Sequence, residues 1–207
     1  MNMALPAETL RERTRRAVQA ELLEQAQTLF AVYGYEAVTI DQIASAAGMS
    51  RRSFFRYFGS KEALVLGKYD RLGEDLAAAL AARPANEPAW TALRRMFDAV
   101  IAYVADPDLA ARAEEMDRVI QSSDALRAGF LERMERAQHL VVDVLASRER
   151  EARPGQPVSE AGLAALVAAA FAALASARTY SQAKSVDFPT AVDDAMAAIA
   201  AGTQPPP

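Results

Sequence analysis

Apolar positions recur at steps of three and four along most of the chain, and strand-like alternation is absent. The stripe Val18, Leu22, Ala26, Leu29, Phe30 and Tyr33 predicts a first helix over roughly residues 9–33, with Gly34 where a C-terminal cap belongs. Thr39-Ile40-Asp41-Gln42 has the spacing of a capping box and opens a short helix with Ile40, Ile43, Ala44 and Ala47 inward, ended by Gly48. Ser50 caps a third helix running to about Phe58. Gly59-Ser60 breaks it, and Ser60 caps a long helix from Lys61 to about Ala82, with Glu62 in its first turn. Further helices are predicted at roughly 89–105, 107–122, 124–149, 158–182 and 188–201, with Asp106-Pro107 and Ser123-Asp124 as starts. The expectation is an all-α chain of about nine helices with a non-helical tail from Gly202 to Pro207.

Composition narrows what such a chain does. Its 207 residues are 52% hydrophobic and 24% charged, enough for a buried core in one large or two small domains. There is no cysteine and one histidine, so disulfides, thiol nucleophiles, cysteine zinc sites and clustered-histidine metal sites are excluded. No glycine-rich phosphate loop is present. No catalytic residue, cofactor or metal is therefore expected, and the chain does not read as an enzyme. Ala161–Ala177 carries no charge, but ten of these residues are alanine, and its large side chains (Leu163, Leu166, Val167, Phe171, Leu174) fall on one helical face. That is a buried bundle helix rather than a membrane span. Met1 to Leu10 holds no apolar core of signal-peptide length, and a cytoplasmic protein is expected.

The net charge of −4 conceals a local excess of the opposite sign. Residues 49–61 carry Arg51, Arg52, Arg56 and Lys61 with no acid, which is either the footprint of a polyanion or a solvated helix face. The short helices on either side of Gly48-Met49 decide in favour of the first. They form a helix-turn-helix whose second helix would offer Ser50, Arg51, Arg52 and Ser53 to base edges in a major groove. Arginine forks suit the paired acceptors of guanine. Phe54, Phe55 and Phe58 are expected to anchor the helix from behind. Arg11, Arg13, Arg15 and Arg16 reach phosphates or an adjacent groove, or form a solvated arm.

The stretch from Gly34 to Leu64, with Thr39, the turn Ala44-Ser45-Ala46-Ala47-Gly48, the pair Tyr57-Phe58 and Ser60-Lys61-Glu62, resembles the DNA-binding signature of the TetR family of transcriptional regulators. The resemblance implies a DNA-binding domain over residues 1–60 and a ligand-binding and dimerisation domain over 61–207. It implies a homodimer on a palindromic double-stranded operator, usually a repressor, released by a small ligand. By the same resemblance Thr39 meets a phosphate, Tyr57 and Lys61 contact the backbone, and Ser50, Arg52 and Ser53 face the groove. The DNA contacts expected are thus Thr39, Ser50, Arg51, Arg52, Ser53, Arg56, Tyr57 and Lys61. Family members often have glycine where Arg52 stands and tyrosine where Phe55 stands, so a different operator is expected here.

In residues 61–207, the apolar stripes Met96–Phe97–Val100–Tyr103, Met116–Val119–Ile120 and Phe130–Leu131–Met134 are either core or pocket lining. Met96, Tyr103, Met116, Arg118, Gln121, His139 and Arg178 are the candidate ligand contacts. They suit a hydrophobic effector with an acidic or acyl group, in keeping with a weaker resemblance of Arg112–Arg148 to members thought to bind acyl-CoA-like ligands. Arg178 meets either a ligand acid or a carboxylate of a neighbouring helix. The alanine face Ala165, Ala168, Ala169, Ala172 and Ala173 allows close approach of helices, within the subunit or, with Phe188, Val192, Met196 and Ile199, across a two-fold axis.

Overall fold

The structure is a computed structural model that describes residues 9–184 and 186–202. Gly202, expected to open the tail, instead ends α10, and the rest of the expected tail lies outside the described residues. Ten helices and no strand are found among them: α1 (Leu10–Tyr33), α2 (Ile40–Ala46), α3 (Arg51–Phe55), α4 (Lys61–Ala81), α5 (Ala89–Met96), α6 (Asp98–Ala105), α7 (Pro107–Gln121), α8 (Asp124–Ala152), α9 (Glu160–Lys184) and α10 (Phe188–Gly202). The tenth arises because the helix expected at 89–105 is interrupted at Phe97, whose φ of −82° and ψ of −4° end α5 and begin α6. Phe97 is fully buried and meets the Phe171 ring edge-on at 5.4 Å, so packing rather than any local breaker residue sets the interruption.

The chain forms two compact units. The first holds the described residues up to Gly67 together with Glu114–Phe130. Its buried side chains include Leu22, Ala26 and Phe30 of α1, Ile43 and Ala44 of α2, Phe54 of α3 and Leu64, Val65 and Leu66 of α4. Local chemistry sets its boundaries. Thr9 and Glu12 close a capping box on α1, and Gly34, at φ 79°, ends that helix by donating its N–H to the Phe30 carbonyl. Ser60 Oγ accepts from the Ala63 N–H at 2.9 Å and starts α4. Ser123 does not cap in the same way: its buried Oγ has no hydrogen-bond partner among the described residues.

The second unit holds Lys68–Ala113 and the described residues from Leu131 onward. Its core joins Leu76 and Leu80 of α4, Leu93 and Met96 of α5, Val141 and Leu145 of α8, Val167, Ala170, Ala173 and Ala177 of α9, and Phe188, Val192 and Met196 of α10. α9 is long and apolar enough to cross a membrane by length and composition. Here it packs into the bundle against α10 and α5, but the buried stripe is Val167, Ala170, Ala173 and Ala177, and the larger Leu163, Leu166, Phe171 and Leu174 of the expected face are half-buried against it. Where α4 crosses α8 the helices nearly touch, since a Cβ on Gly73 would stand 3.0 Å from that of Ala137.

Candidate nucleic-acid interface

The turn between α2 and α3 is built from backbone bonds. Met49 N–H donates to the Ala44 carbonyl at 2.8 Å and Gly48 N–H to that of Ser45 at 3.0 Å, with Gly48 at φ 65°. This is a Schellman motif, in which a residue without Cβ takes the left-handed position. Ser50 then caps α3: its Oγ accepts from the Ser53 N–H at 3.2 Å and lies 3.1 Å from Ser53 Oγ. On the other side, Thr39 caps α2, with its N–H donating to Gln42 Oε1 at 2.8 Å and its Oγ1 accepting from the Gln42 N–H. Thr39 and Ser50 are exposed, and Ser53 is half-buried.

α3 is a short helix with two contrasting faces. Phe54 is completely buried, edge-on to Phe55 at 5.6 Å and tilted against Phe58 at 5.9 Å. Phe55 does not join it in the core. It is 44% exposed and lies beneath the Arg51 guanidinium at 5.6 Å. The reason is angular: Phe54 and Phe58 are four residues apart, whereas Phe55 is turned about 100° from Phe54. Regular helix also ends at Phe55, and Arg56–Phe58 continue only as turns.

Each basic side chain has its own environment. Arg51 Nη1 donates to Asp41 Oδ2 at 2.8 Å, linking α3 to α2 through an exposed ion pair. Arg52 is exposed and has no hydrogen bond or ion pair among the described residues. Arg56 lies over the Tyr57 ring at 5.5 Å, and the Tyr57 carbonyl accepts from Gln19 Nε2 of α1. Lys61 is half-buried. Its Nζ donates to the carbonyls of Tyr35 at 2.6 Å and Val38 at 2.8 Å and sits 4.2 Å from the centre of the Tyr35 ring. Desolvation lowers the Lys61 pKa against the opposing pull of Glu36. An ammonium carries three protons, so one donor remains beyond the two carbonyls. Asp41, Gln19 and Tyr35 were not singled out in the sequence, because their partners lie ten or more residues away.

The Tyr35 phenol is pushed up to about 12 by burial, reinforced by Glu36 and Glu62. A phenol whose pKa is raised on folding stabilises fully below its unfolded value near 10, and that contribution is lost as pH rises towards 12. The expected loss is about 2–3 kcal/mol across this window. Lys61, with a lowered pKa, acts with the opposite sign in the same range, so the comparison with Tyr35→Phe isolates the phenol. Urea midpoints followed by circular dichroism should fall more steeply between pH 10 and 12 in the unsubstituted chain. Parallel curves for the two proteins would contradict this.

The candidate ligand contacts divide between the two units. Met116, Arg118 and Gln121 belong to the first unit, and Met96, Tyr103, His139 and Arg178 to the second. Met96 and Met116 are buried, Arg178 is half-buried, and Tyr103, Arg118, Gln121 and His139 are exposed. No group of three His, Cys, Asp or Glu side chains suited to a metal is found among the described residues.

A capped pair of helices about a Schellman turn, with an arginine-rich front and a phenylalanine-backed rear, defines a helix-turn-helix protein. Residues 22–67 match the family described as bacterial regulatory proteins, tetR family. The regulator TcmR of Streptomyces glaucescens is 35% identical over 144 residues, covering 68% of this chain and 64% of TcmR. The repressor AcnR of Corynebacterium diphtheriae is 29% identical over 137 residues, covering 66% of each. The chain thus spans just under two thirds of the length of these relatives. Among solved structures, Thermus thermophilus FadR, a TetR-family repressor in complex with lauroyl-CoA, superposes with a TM-score of 0.56 at 19% identity, covering 91% of this chain and 96% of FadR. The DNA-binding region of the chain belongs to the TetR family of transcriptional regulators.

Proposed function

We propose that the chain is a ligand-responsive repressor that binds a palindromic operator as a homodimer and is released by a small hydrophobic effector. One observation carries this reading: α3 buries Phe54 completely and leaves Arg52, on the opposite side, exposed and without a partner among the described residues. Ser50, Arg51, Arg52 and Ser53 read base edges, while Thr39, Arg56, Tyr57 and Lys61 hold phosphates. Lys61 does so with its third proton while its other two fix the turn that leads into Thr39. Residues 1–60, with Lys61 at their edge, carry this task, in the cytoplasm, and the rest of residues 61–207 carries effector binding and dimerisation.

For the dimer, the exposed small residues Ala165, Ala168 and Ala172 of α9 continue into a shallow apolar groove at Ala175, Ser176, Thr179, Tyr180 and Ala183. A second copy of α9 can approach such a face closely, and the two-fold axis then spaces the recognition helices by one turn of DNA. The repressor named AcnR and the lauroyl-CoA complex of FadR support repression and an acyl-type effector. Arg178 is the cation proposed to meet the effector's acid, with Met96 and Tyr103 as apolar partners on the same unit. His139 lies on that unit too, whereas Met116, Arg118 and Gln121 belong to the first unit and are not joined to this contact set. α4 begins in the first unit and continues into the second, so an effector acts by favouring a different placement of this helix. Gel retardation with the promoter region beside the chain's own gene tests the reading. Retardation of that fragment alone, reversed by an acyl compound, is expected; no preference over random duplex would reject it.

A further inference from the structure

We propose that a groove between the start of α1 and the turn after α3 holds a backbone phosphate of the bound duplex, outside the base-reading face. The inference rests on the DNA-binding reading above, in which Arg56 and Tyr57 already hold phosphates, and extends it to Arg11 and Arg15 of α1, which have no role there. Leu10, Arg11, Thr14, Arg15, Arg56 and Tyr57 line the groove, so among the described residues it holds three guanidinium groups and no carboxylate.

Three like charges lining one opening repel one another weakly in solvent and together attract an anion to it. Arg11 and Arg15 stand four apart on α1, the spacing at which like charges repel, and neither has a hydrogen bond or ion pair among the described residues. Glu12, the acid between them, is engaged elsewhere: its carboxylate accepts from the Thr9 N–H and hydroxyl at 2.8 Å each. The opposite wall is equally defined. Arg56 is stacked on Tyr57, and Gln19 of α1 donates to the Tyr57 carbonyl at 3.4 Å, which ties this turn to α1.

The occupant follows from the groove's position. Arg56 comes four residues after Arg52, so an anion in the groove lies on the same surface as the recognition helix and belongs to the backbone of the duplex being read. Guanidinium forks match phosphate oxygens in pairs. Leu10, 72% exposed, and the Tyr57 ring offer the apolar surface on which a deoxyribose can rest. The groove therefore fixes register along the duplex rather than choosing bases.

The test begins with duplexes enriched from a random-sequence pool by the unsubstituted chain. On an enriched duplex, Arg11→Ala/Arg15→Ala should bind at least about tenfold more weakly at physiological salt, with a salt slope reduced by about two for each bound protomer. It should still enrich the same base sequence. Arg11→Lys/Arg15→Lys should recover most of the affinity. Scanning the flanking linkages with neutral methylphosphonate should find one position per half-site that weakens the unsubstituted chain and leaves the alanine pair unaffected. Both variants should keep their helicity and melting temperature, because these side chains are exposed. Unchanged affinity and slope in the alanine pair would overturn the inference, as would a loss indifferent to methylphosphonate position. Failure of the unsubstituted chain to enrich any duplex would instead reject DNA binding itself, and the groove's role with it.

Discussion

Replacing Phe54 with alanine is expected to destabilise the first unit by about 3–5 kcal/mol, the range for removing a fully buried aromatic ring. α3 has only five residues and cannot persist on its own propensity. Its place depends on the ring of Phe54, which has no exposed surface and contacts Phe55 and Phe58 at once. Alanine leaves a cavity that so short a helix can close only by abandoning its cap at Ser50. The urea midpoint read by circular dichroism should drop sharply, and specific retardation of duplex should vanish. Phe54→Leu, which keeps most of the volume, should retain a measurable share of both. A midpoint for Phe54→Ala equal to that of the unsubstituted chain would show that α3 is held by something other than this ring.

Arg52→Ala is the converse case, a large effect on binding with none on folding. Arg52 is exposed and has no partner to lose among the described residues, so its stability cost should be within about 0.5 kcal/mol. If it forms a fork to a guanine, its removal costs about 1–3 kcal/mol per half-site and relaxes preference at one base position. That corresponds to a loss of roughly 5- to 150-fold in affinity for each recognition helix. Affinity for random duplex should change far less. Arg52→Lys should not restore the preference, because a single ammonium lacks the paired donors. Equal losses on enriched and random duplex would assign Arg52 to a phosphate.

What could be read from the sequence was what short-range chemistry decides. Thr39 with Gln42, Ser50 with Ser53, Ser60 with Ala63, and the glycines at 34 and 48 all act within a turn of their own position, and each stands as its spacing implies. The interruption at Phe97 had no such signal, since it answers to Phe171, far away in sequence. Phe55 was misplaced because three phenylalanines in five residues look like one face until the angle at each step is counted. Tyr103, Gln121 and His139 show the limit of periodicity: a stripe indicates which side of a helix is apolar, but not how deep a residue at its margin will lie. The role of Lys61 was hidden for a related reason. Its charge is conspicuous, but the carbonyls that hold it lie 26 and 23 residues earlier.

The ion pair between Arg51 and Asp41 alters how the recognition surface exchanges small ions with solvent. A cation already neutralised by its own protein displaces fewer condensed sodium ions when it reaches a duplex, so it adds little to the count released. Having chosen its orientation before the encounter, it also loses less side-chain entropy on docking. On a duplex this surface is expected to show a shallower dependence on ionic strength than its number of arginines implies.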